Sequence, residues 1–362
     1  MENLIISISA FLLVISIMVF IHEWGHFYIA RLCGVKVDVF AIGFGKTIWS
    51  KFDSKGTEWK INILPLGGYV KMFGDAGPAS NADLNKVKLM NEEEKQISFF
   101  HKKLWQKALI VLAGPLMNYL LAFFVMMMIL VNYGETTLST KIASLEEDGS
   151  AYKAGILVGD VIESVNNHKV DNMLEVKRLI SHNNEDKSIS LKILRGDSKL
   201  DIVVMPKKVQ LPSGEFTYRI GVIATNTVTH YSLFDSFIKA ADGIFLLNNM
   251  MINGLIDFLS GKGSVEDLGG PIRIAQISGE AAKHGMQSFL TLLVILSLNL
   301  GLMNLLPIPG LDGGHLMYYA INGILGKPLP YKVQELGIKV GIIILVSLLV
   351  FVTYHDIFTI FK

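Results

Sequence analysis

Four uninterrupted apolar stretches limit what this chain can fold into. A helical membrane span needs roughly 20 consecutive apolar residues, because each residue rises about 1.5 Å and the hydrocarbon is about 30 Å thick. The stretches run from Leu4 to about Ala30, Ala108 to Val131, Ser288 to Leu311 and Leu336 to Tyr354. Backbone groups in lipid must be satisfied internally, so each is expected to be a helix. Lys339 lies near one end of the fourth, where its ammonium can snorkel to the interface. The first is expected to be retained rather than cleaved. Glu2 stands where a signal peptide carries basic residues, and the apolar run is longer than an h-region. Residues 243–256 are also uncharged but number only 14 and include Asn248, Asn249 and Asn253. They are expected to form an amphipathic helix on the membrane or on the protein.

Charged residues make up 18% of the chain, against about 25% in soluble proteins. The net charge of +1 gives no bulk signal for nucleic acid. Cys33 is the single cysteine, which excludes an internal disulfide framework.

Basic residues set the expected orientation. Arg31, Lys36, Lys46, Lys95, Lys102, Lys103 and Lys107 lie between the first two spans, near their ends, and no Lys or Arg precedes the first. The positive-inside rule puts residues 31–107 in the cytoplasm and both termini outside. Residues 132–287 are then outside. The inner ends of the first and third spans, which carry His22 and Asp312, fall at one membrane depth.

The first span ends in "FIHEWGHFYIARLCG", Phe20 to Gly34. Residues four apart share a helix face, so His22 and His26 can present two nitrogens to one ion. Glu23 follows the first histidine, the general-base position of a His-Glu-x-x-His motif. Zinc suits imidazole and carboxylate ligands and keeps a position open for catalysis. Ionisable groups in a span are costly and mark functional sites. Two histidines leave a third ligand to be found.

The third span ends in "NLGLMNLLPIPGLDGGHL", Asn299 to Leu316. Asp312 is the only acidic residue between Glu280 and Glu335. It follows two helix breakers, Pro307 and Pro309, and precedes Gly313 and Gly314. Irregular backbone at membrane depth is tolerated only where protein buries it or water reaches it. Asp312 is the favoured ligand and His315, deeper into the expected loop, is its rival; Asp-Gly is also an ordinary turn signal. Asn304 carries a carboxamide at membrane depth, which either bonds another helix or meets an extended substrate backbone.

"HEWGH" together with "NLLPIPGLDGGHL" resembles the site-2 protease family of intramembrane zinc metalloproteases, and most closely its bacterial regulator-of-sigma-E protease branch. "IGFGKTIWS" (Ile42 to Ser50) and "LPLGGYVKM" (Leu64 to Met72, with Gly67 and Gly68) are similar to that branch's membrane-associated β-rich loop. "AGPLMN" (Ala113 to Asn118) is similar to its Gly-x-x-x-Asn element. The resemblance implies that His22, His26 and Asp312 bind one zinc ion per chain and that Glu23 activates water. It also implies that Asn304, Pro307 and Pro309 shape the site or contact substrate, with Gly67, Gly68 and Asn118 placed alongside them.

The expected architecture is a polytopic α-helical membrane protein with four spans, a β-rich cytoplasmic loop and one extracytoplasmic PDZ domain. Residues 1–131 hold the first half of the membrane core, with spans at about 4–30 and 108–131 around the loop 31–107. Residues 75–98, with Pro78 and glutamates at 92 to 94, are expected to be a polar linker. Residues 136–206 resemble a PDZ domain, through "GSAYKAGILVGDVIESVNNHKV" and the helix-forming "NMLEVKRLISH". Residues 207–287 form a connector with the amphipathic helix, "FTYRIGVIA" belonging either to it or to the domain. Residues 288–362 complete the core.

The implied activity is cleavage of single-span membrane proteins already shortened outside, such as an anti-sigma factor or signal-peptide remnants. The expected setting is the bacterial inner membrane, with the lipid bilayer as partner and the outer domain as a size filter. A membrane-anchored scaffold or an ion transporter is the competing class. The intact His-Glu-x-x-His motif argues against the first and the lack of internal repeats against the second.

Overall fold

The computed structural model describes residues 2–75, 87–181, 187–210, 216–262 and 269–360. They divide into two compact units, Met1–Ile129 with Leu233–Lys362, and Leu130–Ser232.

Among the described residues four helices are long and apolar enough to span a membrane: Asn3–Leu32, Leu104–Asn132, Met286–Leu305 and Lys332–Phe358. They lie in α1 (Glu2–Leu32), α3 (Leu104–Asn132), α8 (Met286–Leu305) and α10 (Tyr331–Ile360). The third is shorter than its apolar run. Leu306 leaves helical geometry (φ −62°, ψ 142°) ahead of Pro307 and Pro309, so the helix stops at Leu305. A separate helix, α9 (Asp312–Leu325), then begins. Asp312 and His315 therefore sit in the first turn of a helix, not in a loop. A carboxylate there is favoured by the positive end of the helix dipole.

Small residues let these helices approach closely. A Cβ on Gly25 of α1 would lie 2.3 Å from the Ala113 carbonyl oxygen of α3, and one on Gly301 of α8 would lie 2.9 Å from the Tyr119 ring. Val14, Met18, Ala122, Val125, Leu293 and Leu298 are buried in one cluster of this unit.

Residues 31–107 carry a two-stranded antiparallel sheet, β1 (Val37–Phe52) and β2 (Glu58–Met72). The strands are longer than expected and curl, so that Val39–Ile42 faces Gly68–Lys71 and also Glu58–Ile61. The bend uses Gly43 (φ +83°), where a Cβ would lie 2.6 Å from the Leu64 carbonyl oxygen. Of the expected linker 75–98, residues 76–86 lie outside the described residues. The remainder is not all linker: α2 (Glu92–Ile97) starts on an Asn91–Glu94 capping box.

The expected amphipathic helix is longer than residues 243–256. Helix α6 (Leu233–Leu259) continues through Asp235, Lys239 and Asp242, charges that a search for apolar runs treats as boundaries. It rests on the protein through Ile244, Leu247 and Met251, and Tyr119 donates to Asn248 at 2.7 Å. Part of the connector is also helical: α7 (Pro271–Lys283). The buried Asp356 carboxylate of α10 accepts from the backbone N–H groups of Gly270, Ile272 and Arg273, capping it.

The second unit holds helices α4 (Ser150–Lys153) and α5 (Met173–Ser181) and strands β3 (Glu135–Leu145), β4 (Val161–Val165), β5 (His168–Lys169), β6 (Ile189–Arg195), β7 (Ser198–Val204), β8 (Lys207–Gln210), β9 (Phe216–Arg219) and β10 (Val222–Thr229). Its main sheet has the order β10-β3-β4-β6-β7, with β5 on β4. Ile142, Ile162, Ile189, Leu191 and Ile193 are fully buried beneath Val176 and Ile180 of α5. The unit extends beyond 136–206. Strand β10 pairs with β3, and Tyr218 and Ile220 enter the core, so "FTYRIGVIA" belongs to this unit and not to the connector. The pairing joins residues some 80 positions apart, which no local pattern announces.

Candidate metal centre

The last turns of α1 present His22, Glu23 and His26 to the first turn of α9. His22 Nε2 lies 3.2 Å from Asp312 Oδ2, His26 Nε2 lies 3.5 Å from it, and the two Nε2 atoms are 3.2 Å apart. Asp312 Oδ2 is buried and has no hydrogen-bond partner among the described residues. Three lone-pair atoms facing one another need a cation or a proton between them. For zinc bonds of about 2.0–2.1 Å, the edges of a tetrahedron are about 3.3 Å. The three separations fit that triangle, so this donor set suits zinc.

Each imidazole is held by its other nitrogen. His26 Nδ1 donates to the Ile110 carbonyl at 2.9 Å, leaving Nε2 as the free lone pair. The Asn118 amide lies 3.2 Å from His22 Nδ1; with its Oδ1, otherwise buried and unpaired, turned to the ring, it accepts from Nδ1–H and leaves Nε2 as the lone pair. Asn118 is fully buried, and its backbone carbonyl accepts from Ser297 of α8 at 2.9 Å. Such outer partners fix the ring and raise its basicity. Gly114 makes the approach possible, because α3 passes directly against both imidazoles.

A cavity of about 250 Å³ opens at the triad. Its wall includes Glu23, Gly68, Tyr69, Val70, Asn304, His315 and Tyr319. The β2 backbone runs close to α1 there: a Cβ on Gly68 would lie 3.0 Å from Glu23 Cγ. Gly67 does not line the cavity. It turns the strand at φ +134°, against the Phe44 ring. Pro307 and Pro309 also lie outside the wall. Pro309 packs on α10, where a Cβ on Gly341 would overlap its carbonyl oxygen. His315 shares the cavity but not the cluster of donor atoms within 4.8 Å, which holds His22, His26 and Asp312.

Sequence reasoning did not find Ile110, Ser297, Tyr319 or Val70. A backbone carbonyl carries no side-chain signal. Tyr319 does carry one, since it stands seven residues after Asp312 on the same face of a helix that was not expected.

The site defines a class: a candidate His-Glu-x-x-His metal centre completed by a distant aspartate, on helices that include ones long and apolar enough to span a membrane. The Peptidase family M50 profile matches residues 10–348. The chain belongs to this family, that of the site-2 proteases. A protein of Rhizobium meliloti (strain 1021) named "Putative zinc metalloprotease" is 35% identical over 99% of this chain and 98% of its own length. A protein of the same description from Rickettsia conorii is 37% identical over 99% of this chain and all of its own. The PDZ domain of an SdrC-like protein from Listeria innocua matches 26% of this chain and 99% of that domain, at 21% identity and a TM-score of 0.21. A score that low carries nothing about the fold, which stands on the strand order above.

Proposed function

We propose that this multi-pass membrane protein is a zinc endopeptidase that cuts its substrates at membrane depth. The convergence of Glu23 with His22, His26 and Asp312 on one cavity carries the reading. His22, His26 and Asp312 would hold one zinc ion, which would supply Lewis acidity at the scissile carbonyl and lower the pKa of the attacking water. Glu23 takes the proton from the attacking water and passes it to the leaving amine. The carbon–nitrogen bond breaks as that proton arrives.

A protease needs an extended substrate, and a helical membrane segment hides its peptide bonds. The β2 edge at Gly68–Val70 offers backbone groups beside Glu23, suited to pairing with an unwound segment. Asn304 adds a carboxamide donor in the same wall. Gly67, Pro307 and Pro309 act indirectly, by setting the turns that bring β2 and α9 to the site.

The substrates are single-span proteins already shortened outside, anti-sigma-factor-like proteins or signal-peptide remnants. The protein lies in the bacterial inner membrane with both termini outside and the site near the cytoplasmic face, as its basic residues argue. Residues 130–232 are an extracytoplasmic PDZ-type domain.

Cleavage of a shortened single-span substrate by wild type and Glu23→Gln tests the activity, with zinc measured in both. Loss of cleavage with zinc retained supports the reading. Equal cleavage removes Glu23 from the chemistry and makes the metal structural.

A further inference from the structure

We propose that His315 is a second catalytic group: a hydrogen-bond donor from α9, in the same cavity as Glu23, that holds the oxygen of the attacked carbonyl. The inference rests on the protease reading above.

Three observations carry it. Asp312, His315 and Tyr319 stand at i, i+3 and i+7, one face of α9, and all three line the cavity. His315 lies one turn from Asp312, yet its ring nitrogens fall outside the donor cluster, so the ring looks into the site without serving it as a ligand. Its hydrogen bonding also differs from that of the other two histidines. His22 and His26 are each fixed through Nδ1. The His315 ring bonds no described residue, while its backbone N–H donates to the Leu311 carbonyl at 3.3 Å. A half-buried imidazole left unpaired is costly, and an incoming carbonyl oxygen would satisfy it.

The chemistry suits that position. Water attack turns the carbonyl oxygen into an oxyanion while Glu23 on α1 carries the water's proton. A neutral imidazole N–H in the cavity stabilises the charge where it develops and forms no covalent bond. Collapse returns the electron pair to the carbonyl, expels the amine and uses the proton held by Glu23. Tyr319, a turn further on, packs instead against the apolar cluster of Phe27, Phe40 and Ile110.

The test uses full-length, zinc-loaded protein with His315→Leu, His315→Gln, Tyr319→Phe and Glu23→Gln. The expected result for His315→Leu is a kcat about 100-fold lower, the scale of one lost oxyanion donor. KM and zinc content stay unchanged. His315→Gln, which keeps an N–H donor, recovers part of the loss. Affinity for a peptide whose scissile amide is replaced by a phosphinate, a tetrahedral mimic, falls in parallel. That readout needs no turnover.

Loss of zinc in His315→Leu overturns the inference and makes His315 a ligand or a structural support. So does unchanged kcat and phosphinate affinity, a glutamine variant no better than leucine, or a loss that falls on Tyr319→Phe instead. Full cleavage by Glu23→Gln is a different pattern: it defeats the protease mechanism itself, whatever the His315 variants do.

Discussion

Gly114 of α3 faces the His26 imidazole so closely that a Cβ there would lie 2.2 Å from Nε2, and 2.9 Å from Cε1 of His22. Backbone stands where any other residue would place a side chain. Gly114→Ala should therefore displace the ring of a proposed ligand. Zinc affinity, read by competition with a chelator, is expected to fall at least about tenfold, comparable to losing an outer-shell partner. Wild-type affinity would mean that α3 can retreat at no cost.

Asn118 fixes His22 from behind. Asn118→Leu leaves His22 Nδ1 without a polar partner and the ring free to turn. Metal affinity should drop about 10- to 100-fold. The same chelator competition reads it, and unchanged affinity would assign Asn118 to the α3–α8 contact through Ser297 alone.

A Cβ on Gly341 would overlap the Pro309 carbonyl oxygen. Gly341→Ala should push α10 away from the turn that leads into Asp312. Overpacking of this kind costs about 1–3 kcal/mol. Denaturation in detergent should show it, with cleavage reduced as well because the turn sets the position of Asp312. Normal stability would show that the helix bends aside freely.

In the second unit the buried Asp160 carboxylate accepts from Arg195 Nε at 2.9 Å, from Arg195 Nη2 at 2.8 Å and from the Leu157 backbone N–H at 2.8 Å. The Arg195 hydrogen bonds come first in holding its pKa below the usual carboxylate range. A lowered folded-state pKa means that the unfolded chain binds the proton more readily. The stabilisation is present above about pH 4 and is lost as pH falls below it. Asp160→Asn should cost about 2 kcal/mol, the scale of a charged hydrogen bond. It should also flatten this acid dependence. Hydrogen exchange at Val161–Val165 and Ile189–Arg195 would measure both, and an acid profile identical to wild type would remove Asp160 as its cause.

The sequence by itself determined what local physics dictates. Hydrocarbon demands long apolar helices, so four apolar runs became four helices, with ends shifted by a few residues. A helix repeats every 3.6 residues, so His22 and His26 had to share a face with Glu23 beside them. Pro307 and Pro309 announced a break, although only the structure showed that a new helix starts at Asp312 and carries His315 and Tyr319 on its face. What remained for tertiary structure was convergence between distant segments. Asp312 reaches the histidines, and Asn118 and Ile110 brace them, because Gly25, Gly114 and Gly301 let backbones approach. A glycine is visible in a sequence, but what it faces is not. The extent of the second unit was decided in the same way, when β10 returned to pair with β3.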